Sequence, residues 1–230
     1  MKFALSVFVF FCLLTVSSKA QQPTVNLSFV SFPRAFSVEP VELLVGPEKT
    51  IEIQMPAHTV SAPVRVPQLS RWQLGKSGVD EDGNFVFKVF GSVEGSSSKS
   101  QTLVVFRSKN RTESSFKVLR LDGDANGFAG GSQFFYNATK VPIGASVGDR
   151  KFSIEPGKYK LTKAKASYKR NGREYLGVEF FYQVKDRQEK FESTTWRHND
   201  KVRYMVFFYH DDRTKQITTH LLRTYPKPPR

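Results

Sequence analysis

Apolar and polar residues alternate with period two along much of this chain. Val178, Phe180, Tyr182 and Val184 alternate with Glu179, Gln183 and Lys185, and Phe85, Phe87 and Val89 are spaced in the same way. A strand with one buried face carries this signature, because successive side chains point to opposite sides of a sheet. Turn-forming groups separate the runs: Gly46-Pro47, Asp82-Gly83-Asn84, Pro156-Gly157, Asn171-Gly172 and His210-Asp211-Asp212. Asn171-Gly172 predicts a tight hairpin, since both residues tolerate positive φ. No long segment of 3.6-residue period follows the first twenty residues, so the pattern predicts an all-β sandwich of short strands.

Two segments depart from simple alternation. In 204–209, Tyr204, Val206 and Phe208 make one face apolar while Met205, Phe207 and Tyr209 make the other apolar; Leu103 to Phe106 behaves alike. Such strands must be covered on both sides. A neighbouring loop, a junction between two domains, or a homodimer contact are the coverings that fit.

Self-comparison adds a repeat. Leu103-Val104-Val105-Phe106 aligns with Met205-Val206-Phe207-Phe208 at an offset of 102, which also pairs Arg111-Thr112 with Arg213-Thr214, Val45-Gly46 with Val147-Gly148, and Lys49 with Lys151. One inserted residue then brings Val118-Leu119-Arg120 onto Leu221-Leu222-Arg223. Two tandem β-sandwich domains, 21–120 and 121–225, are the expected organisation, followed by an extended Pro-rich tail at 226–230.

The N-terminus bears on location. Lys2 precedes an apolar run from Phe3 to Val16, and Ser18-Lys19-Ala20 puts small residues where a signal peptidase reads them, so 1–20 is expected to be a cleaved signal peptide. The run is too short to span a bilayer, and no later segment is longer, so no transmembrane segment is expected in the mature chain. A secreted, periplasmic or outer-envelope protein follows. Cleavage takes Lys2 and Lys19 off the 35 basic residues, leaving 33 against 21 acids and a net charge of +12. The only cysteine, Cys12, goes with the signal, and the bulky Phe11 before it is wrong for a lipoprotein site. The mature fold must therefore stand without disulfides.

Gly131-Ser132-Gln133-Phe134-Phe135-Tyr136-Asn137-Ala138-Thr139, then Gly148-Asp149 and Ile154-Glu155-Pro156-Gly157-Lys158-Tyr159, resembles the immunoglobulin-like domains of exported bacterial envelope proteins. The resemblance covers an aromatic strand, a glycine turn and a Pro-Gly corner. It implies an immunoglobulin-like β-sandwich and no particular activity. The cysteine pair of antibody-type domains is missing.

Basic residues crowd one stretch: Lys158, Lys160, Lys163, Lys165, Lys169, Arg170 and Arg173, with Tyr159 and Tyr168 among them and acids only at Glu155 and Glu174. One reading is a patch for anionic polymer; the other is protection of a free sheet edge. The change of phase between Lys160 and Lys163 predicts a bulge near Thr162. Asp122-Gly123-Asp124-Ala125-Asn126-Gly127 matches the first half of a calcium loop, with Asp122, Asp124 and Asn126 as ligands. Position twelve falls on Gln133, which has no carboxylate, so a polar linker between repeats is the competing reading. Trp72 and Trp196 suit either a sugar platform or a sandwich core. Asn26, Asn110 and Asn137 begin glycosylation sequons.

Groups for catalysis are sparse. His58, His198, His210 and His220 lack metal-pair spacing, and no glycine-framed serine nucleophile is present. His210-Asp211-Asp212 reads as a turn, and Glu174, Glu179 and Glu192 would have to converge on one cleft to act as paired acids. The expectation is a non-catalytic interaction protein without cofactor, whose partner is an anionic polysaccharide, lipid headgroups or another envelope protein, with no specific nucleic acid. The alternative is a carbohydrate-binding or carbohydrate-processing accessory whose site lies between the domains, with Trp196, His198 and His210 contributing.

Overall fold

A computed structural model describes residues 22–32, 40–107, 115–124, 127–184, 187–211 and 213–225. The expected signal peptide, the Pro-rich tail, Asn110, Arg111-Thr112, Asn126 and Asp212 lie outside these residues. The chain is all-β, and no helix occurs among the described residues. The first half contributes β1 (Thr24–Phe32), β2 (Val41–Gly46), β3 (Lys49–Ile53), β4 (Val64–Pro67), β5 (Arg71–Val79), β6 (Phe85–Glu94), β7 (Ser100–Arg107) and β8 (Phe116–Asp122). The second contributes β9 (Gln133–Asn137), β10 (Ile143–Val147), β11 (Arg150–Ile154), β12 (Tyr159–Thr162), β13 (Tyr168–Arg170), β14 (Arg173–Val184), β15 (Arg187–Arg197), β16 (Arg203–His210) and β17 (Ile217–Thr224).

Four sheets stack in a sandwich-like series. An outer sheet, β3-β2-β5-β6, faces an inner one, β4-β1-β7-β8; a second inner sheet, β12-β9-β16-β17, faces a second outer one built on β11-β10-β14-β15. Strand order is the same in both halves, except that β13 adds a short arm to β14. In each inner sheet the central pair, β1 with β7 or β9 with β16, is parallel. A parallel pair cannot be joined by a hairpin, so the chain crosses to the outer sheet and back between its members.

Three apolar layers hold the stack. Trp72, Leu74, Phe29 and Leu103 fill the first pair of sheets, and Phe135, Phe180, Trp196 and Phe208 fill the second. Val30, Phe32, Val104 and Phe106 meet Phe134, Tyr136, Met205 and Phe207 between the inner sheets. The two-faced strands are thus explained: each turns one face to its own core and the other to the facing half of the same chain.

The self-comparison found equivalent strands but slipped in one of them. At the offset of 102, Leu103 and Val105, which face the first core, fall on Met205 and Phe207, which face the junction. Shifting by one residue pairs Val104 with Met205 and Phe106 with Phe207, all in the junction. A one-residue slip turns a strand over, and in strands apolar on both faces the sequence carries no mark of the error.

Two other expectations change. Phe85 and Phe87 are half-buried and alternate with exposed Val86 and Lys88, but Val89, the third member of the expected face, is exposed. The register shifts between Leu74 and Gly75, leaving Phe90 as the extra residue of a bulge, with its ring against Phe116. The bulge expected near Thr162 is instead the end of β12. The chain leaves the sheet there because Ala164 is buried, its N–H donating to Gln133 Oε1 at 2.9 Å, and the Lys165 N–H donates to Asp149 Oδ1 at 2.8 Å.

Candidate anion-binding face

All seven basic residues of the run are exposed, but they occupy three places in the second half. Lys158 and Lys160 belong to β12 and its approach, at the terminal position of an inner sheet. Lys163 and Lys165 sit on the loop that crosses to the outer sheet. Lys169 and Arg170 are on β13, and Arg173 begins β14. Asn171 and Gly172, with φ of 50° and 71°, make the tight hairpin expected between β13 and β14.

The crossing loop and β13 border an open groove of about 660 Å³ lined by Lys163, Lys165, Lys169, Glu174, His198 and Asp200, among others. Charges in it are partly matched. Lys169 Nζ lies 2.9 Å from Glu174 Oε1, and Lys163 Nζ lies 3.9 Å from Asp200 Oδ1. The Lys169 ammonium holds the Glu174 carboxyl below its ordinary range, and Glu174 in turn raises Lys169. His198 Nε2 is 4.0 Å from Glu174 Oε2. Among the described residues no carboxylate pairs with Lys158, Lys160, Lys165, Arg170 or Arg173.

The other face of the β13–β14 hairpin is aromatic. Tyr168 and Tyr175 are direct cross-strand partners whose rings stack, with centroids 5.5 Å apart and planes 14° apart. Tyr168 Oη donates to Thr195 Oγ1 at 3.3 Å. Arg197 is the β15 partner of Tyr175 and is exposed. Leu176 and Trp196, one residue on from Tyr175 and one back from Arg197, are buried on the opposite face, so Tyr175 and Arg197 point outward. Sequence reasoning missed Tyr175 and Arg197. Alternation around buried Leu176 and Trp196 was the signal available, but strand pairing was needed to bring them beside Tyr168.

The remaining candidates are placed as follows. Asp122 is engaged, by Ser96 Oγ donating at 2.6 Å and by Arg120 Nε at 3.0 Å. Gln133 is buried and used by Ala164 and by the Gly131 carbonyl, to which its Nε2 donates at 2.6 Å. No group of three His, Cys, Asp or Glu side chains suited to a metal gathers among the described residues. Both tryptophans are core: Trp72 Nε1 donates to Gln101 Oε1 at 2.8 Å, and Trp196 stacks on Tyr204 at 4.8 Å. Neither offers a face to sugar.

The halves meet in a packed aromatic layer, and Trp196, His198 and His210 do not converge there. His198 follows β15 at the end where Tyr204 Oη donates to the Arg197 carbonyl, whereas His210 closes the far end of β16. Glu174, Glu179 and Glu192 are separately occupied, by Lys169, by Lys190 at 3.0 Å and by Thr219 Oγ1 at 2.5 Å. Asn137 of the third sequon is fully buried, its amide donating to the Val141 and Ile154 carbonyls at 2.8 Å each. The folded chain therefore presents no acceptor for a glycan at that position.

No helix among the described residues is long and apolar enough to cross a membrane. Neither protein-family models nor curated protein sequences match the chain.

Proposed function

We propose that this is a non-catalytic interaction protein, exported to the cell envelope or beyond, in which two tandem immunoglobulin-like sandwiches present a basic strip to an anionic partner. The strip runs from Lys158 to Arg173 along the second sandwich, and the partner is an anionic polysaccharide, lipid headgroups or an acidic face of another envelope protein. One observation carries the reading: five of the seven exposed cations form no close ion pair with a carboxylate among the described residues, Asp149 acting on the Lys165 charge only at longer range. Unmatched charge on a molecule with net charge +12 after cleavage raises the local potential and draws anions to it.

Binding of the mature protein to immobilised anionic polymer tests this. Retention should fall as salt rises, because exposed charges are screened within about 10 Å at 0.1 M salt. Replacing Lys158, Lys160, Lys163 and Lys165 together by Gln should abolish it. Retention that ignores both salt and these substitutions would overturn the proposal. N-terminal sequencing of the exported protein, expected to start at Gln21, tests the signal peptide.

Lys158 and Lys160 have a second reading with its own support. They lie on β12 and its approach, and β12 has β9 on one side and no strand on the other among the described residues; lysines on such an edge deter pairing with other chains. Under that reading Lys160→Val promotes aggregation and leaves polymer binding unchanged.

A further inference from the structure

We infer that the outward face of the β13–β14–β15 end is a platform for an acidic sugar chain, one bearing carboxylate or sulfate groups on its rings. The inference rests on the basic-strip reading and names its ligand class.

Tyr168, Tyr175 and Arg197 stand in one row across β13, β14 and β15. Arg170 and Arg173 form the adjacent rung on the same face, since each is two residues from a tyrosine of the row. The rungs are about 7 Å apart at the usual rise along a strand. The row itself spans about 10 Å across three strands. Within that area lie two stacked phenol rings and three guanidinium groups, and no carboxylate pairs with any of the three among the described residues.

Each element answers a different part of such a ligand. Tyr168 has one ring face against Tyr175 and is still 45% exposed, so its other face is open to the apolar C–H face of a sugar ring. The three arginines offer planar forks that match carboxylate or sulfate with paired hydrogen bonds, which a lysine cannot do. Ser193 and Thr195, on the same face of β15, supply hydroxyls for ring oxygens and hydroxyl groups. Anionic lipid headgroups would be drawn by the same charge, and tyrosine also suits a membrane interface, so binding to vesicles is an outcome of the test. Single-stranded nucleic acid could stack on the tyrosine pair, and is therefore another outcome.

The full mature chain is titrated with polygalacturonate, dextran sulfate, neutral dextran, phosphatidylglycerol vesicles and single-stranded DNA. An acidic polysaccharide should bind and neutral dextran should not. Tyr168→Ala should weaken that binding about five-fold with its salt dependence unchanged, whereas Tyr168→Phe should bind as the wild type does. Arg197→Gln should lower both affinity and salt dependence. Thermal melts confirm that each variant is folded.

Failure to bind any anionic polymer overturns the basic strip and this platform together. Binding that is lost in the four-lysine variant but unaltered in Tyr168→Ala and Arg197→Gln overturns the platform and leaves the strip. Preference for vesicles or DNA over both acidic polysaccharides overturns the ligand class.

Discussion

Phe32 lies flat on Phe207 across the junction, with ring centroids 4.7 Å apart and planes 9° apart. The contact has a counterpart: Phe106 meets Tyr136 at 4.1 Å. Exchanging the halves carries β1 to β9 and β7 to β16, and so carries one contact onto the other. Phe106 and Phe207, 6.1 Å apart, are the pair this exchange maps onto itself. The inner sheets therefore pack like the two sides of a two-fold dimer, with the same patch used twice. Phe207 touches both halves of the arrangement. Phe207→Ala should cost about 3–5 kcal/mol and should split a single calorimetric transition into two, as the halves lose their shared layer. A single transition displaced downward would show that the halves remain coupled without it.

Much of this architecture was legible from period and punctuation. The turns at 82–84, 156–157 and 171–172 fall between strands, Gly46 and His210 are the last residues of β2 and β16, and the two-faced strands are the ones at the junction. What the sequence could not supply is pairing. Tyr175 and Arg197 are separated by 22 residues and become neighbours only through the β14–β15 ladder. Lys163 and Lys165 looked like strand residues because alternation continues past Thr162, whereas the Ala164 and Lys165 N–H groups donate to Gln133 and Asp149, 31 and 16 residues away, and hold that segment out of the sheet.

Gly148 holds the crossing loop in place from below. Its φ is +56°, and a Cβ there would lie 2.1 Å from the Lys165 carbonyl oxygen. Gly157 has a φ of +71° but open space around it. Gly157→Ala should therefore cost only the left-handed backbone penalty, about 1–2 kcal/mol. Gly148→Ala should cost clearly more in chemical denaturation, because backbone must move as well. Equal losses would mean that the loop yields freely, and that Lys163 and Lys165 are not fixed by it.

The same loop should respond to acid. The Lys165 N–H bound to Asp149 is the main cause that holds this carboxyl below its ordinary value, with Arg150 adding to it. A lowered folded-state value means that the contact contributes above the ordinary pKa of about 4 and is lost as pH falls through the lower folded one. Amide-exchange protection at Lys165 should fall in that window. Protection at Ala164, whose partner Gln133 does not titrate, should hold. Asp149→Ala should remove the pH step; a step surviving in that variant would assign it to another group.

Asn137 anchors the Pro-Gly corner. Besides its two donated bonds, its Oδ1 accepts from the Thr139 N–H at 2.9 Å and from Thr139 Oγ1 at 2.7 Å. Asn137→Ala would take the side-chain partner from the Ile154 carbonyl and from the Thr139 N–H, while the Thr139 hydroxyl and the Val141 carbonyl keep their own bond at 2.9 Å; the cost is about 1–3 kcal/mol for each group that finds no water. A total loss of about 3 kcal/mol is expected, read as a lower urea midpoint with unchanged slope. A loss under 1 kcal/mol would show that water replaces the amide.

Arg203 makes the opposite case, a buried group the fold tolerates rather than needs. It is 8% exposed, its guanidinium lies 4.9 Å from the centre of the Phe128 ring, and Nη1 donates to the Phe128 carbonyl at 3.0 Å. Its Nε has no hydrogen-bond partner among the described residues, and burial lowers its pKa to about 10. A cation whose folded-state pKa is depressed weakens the fold below that value. The penalty lifts only as pH rises from about 10 toward the higher value of an unfolded arginine. Arg203→Met keeps the length and the contact with Phe128 while removing the charge, so at neutral pH it should stabilise by about 1–3 kcal/mol. The gain over wild type should shrink above pH 10. A destabilised Arg203→Met at pH 7 would mean that the bond to the Phe128 carbonyl outweighs the cost of burying the charge.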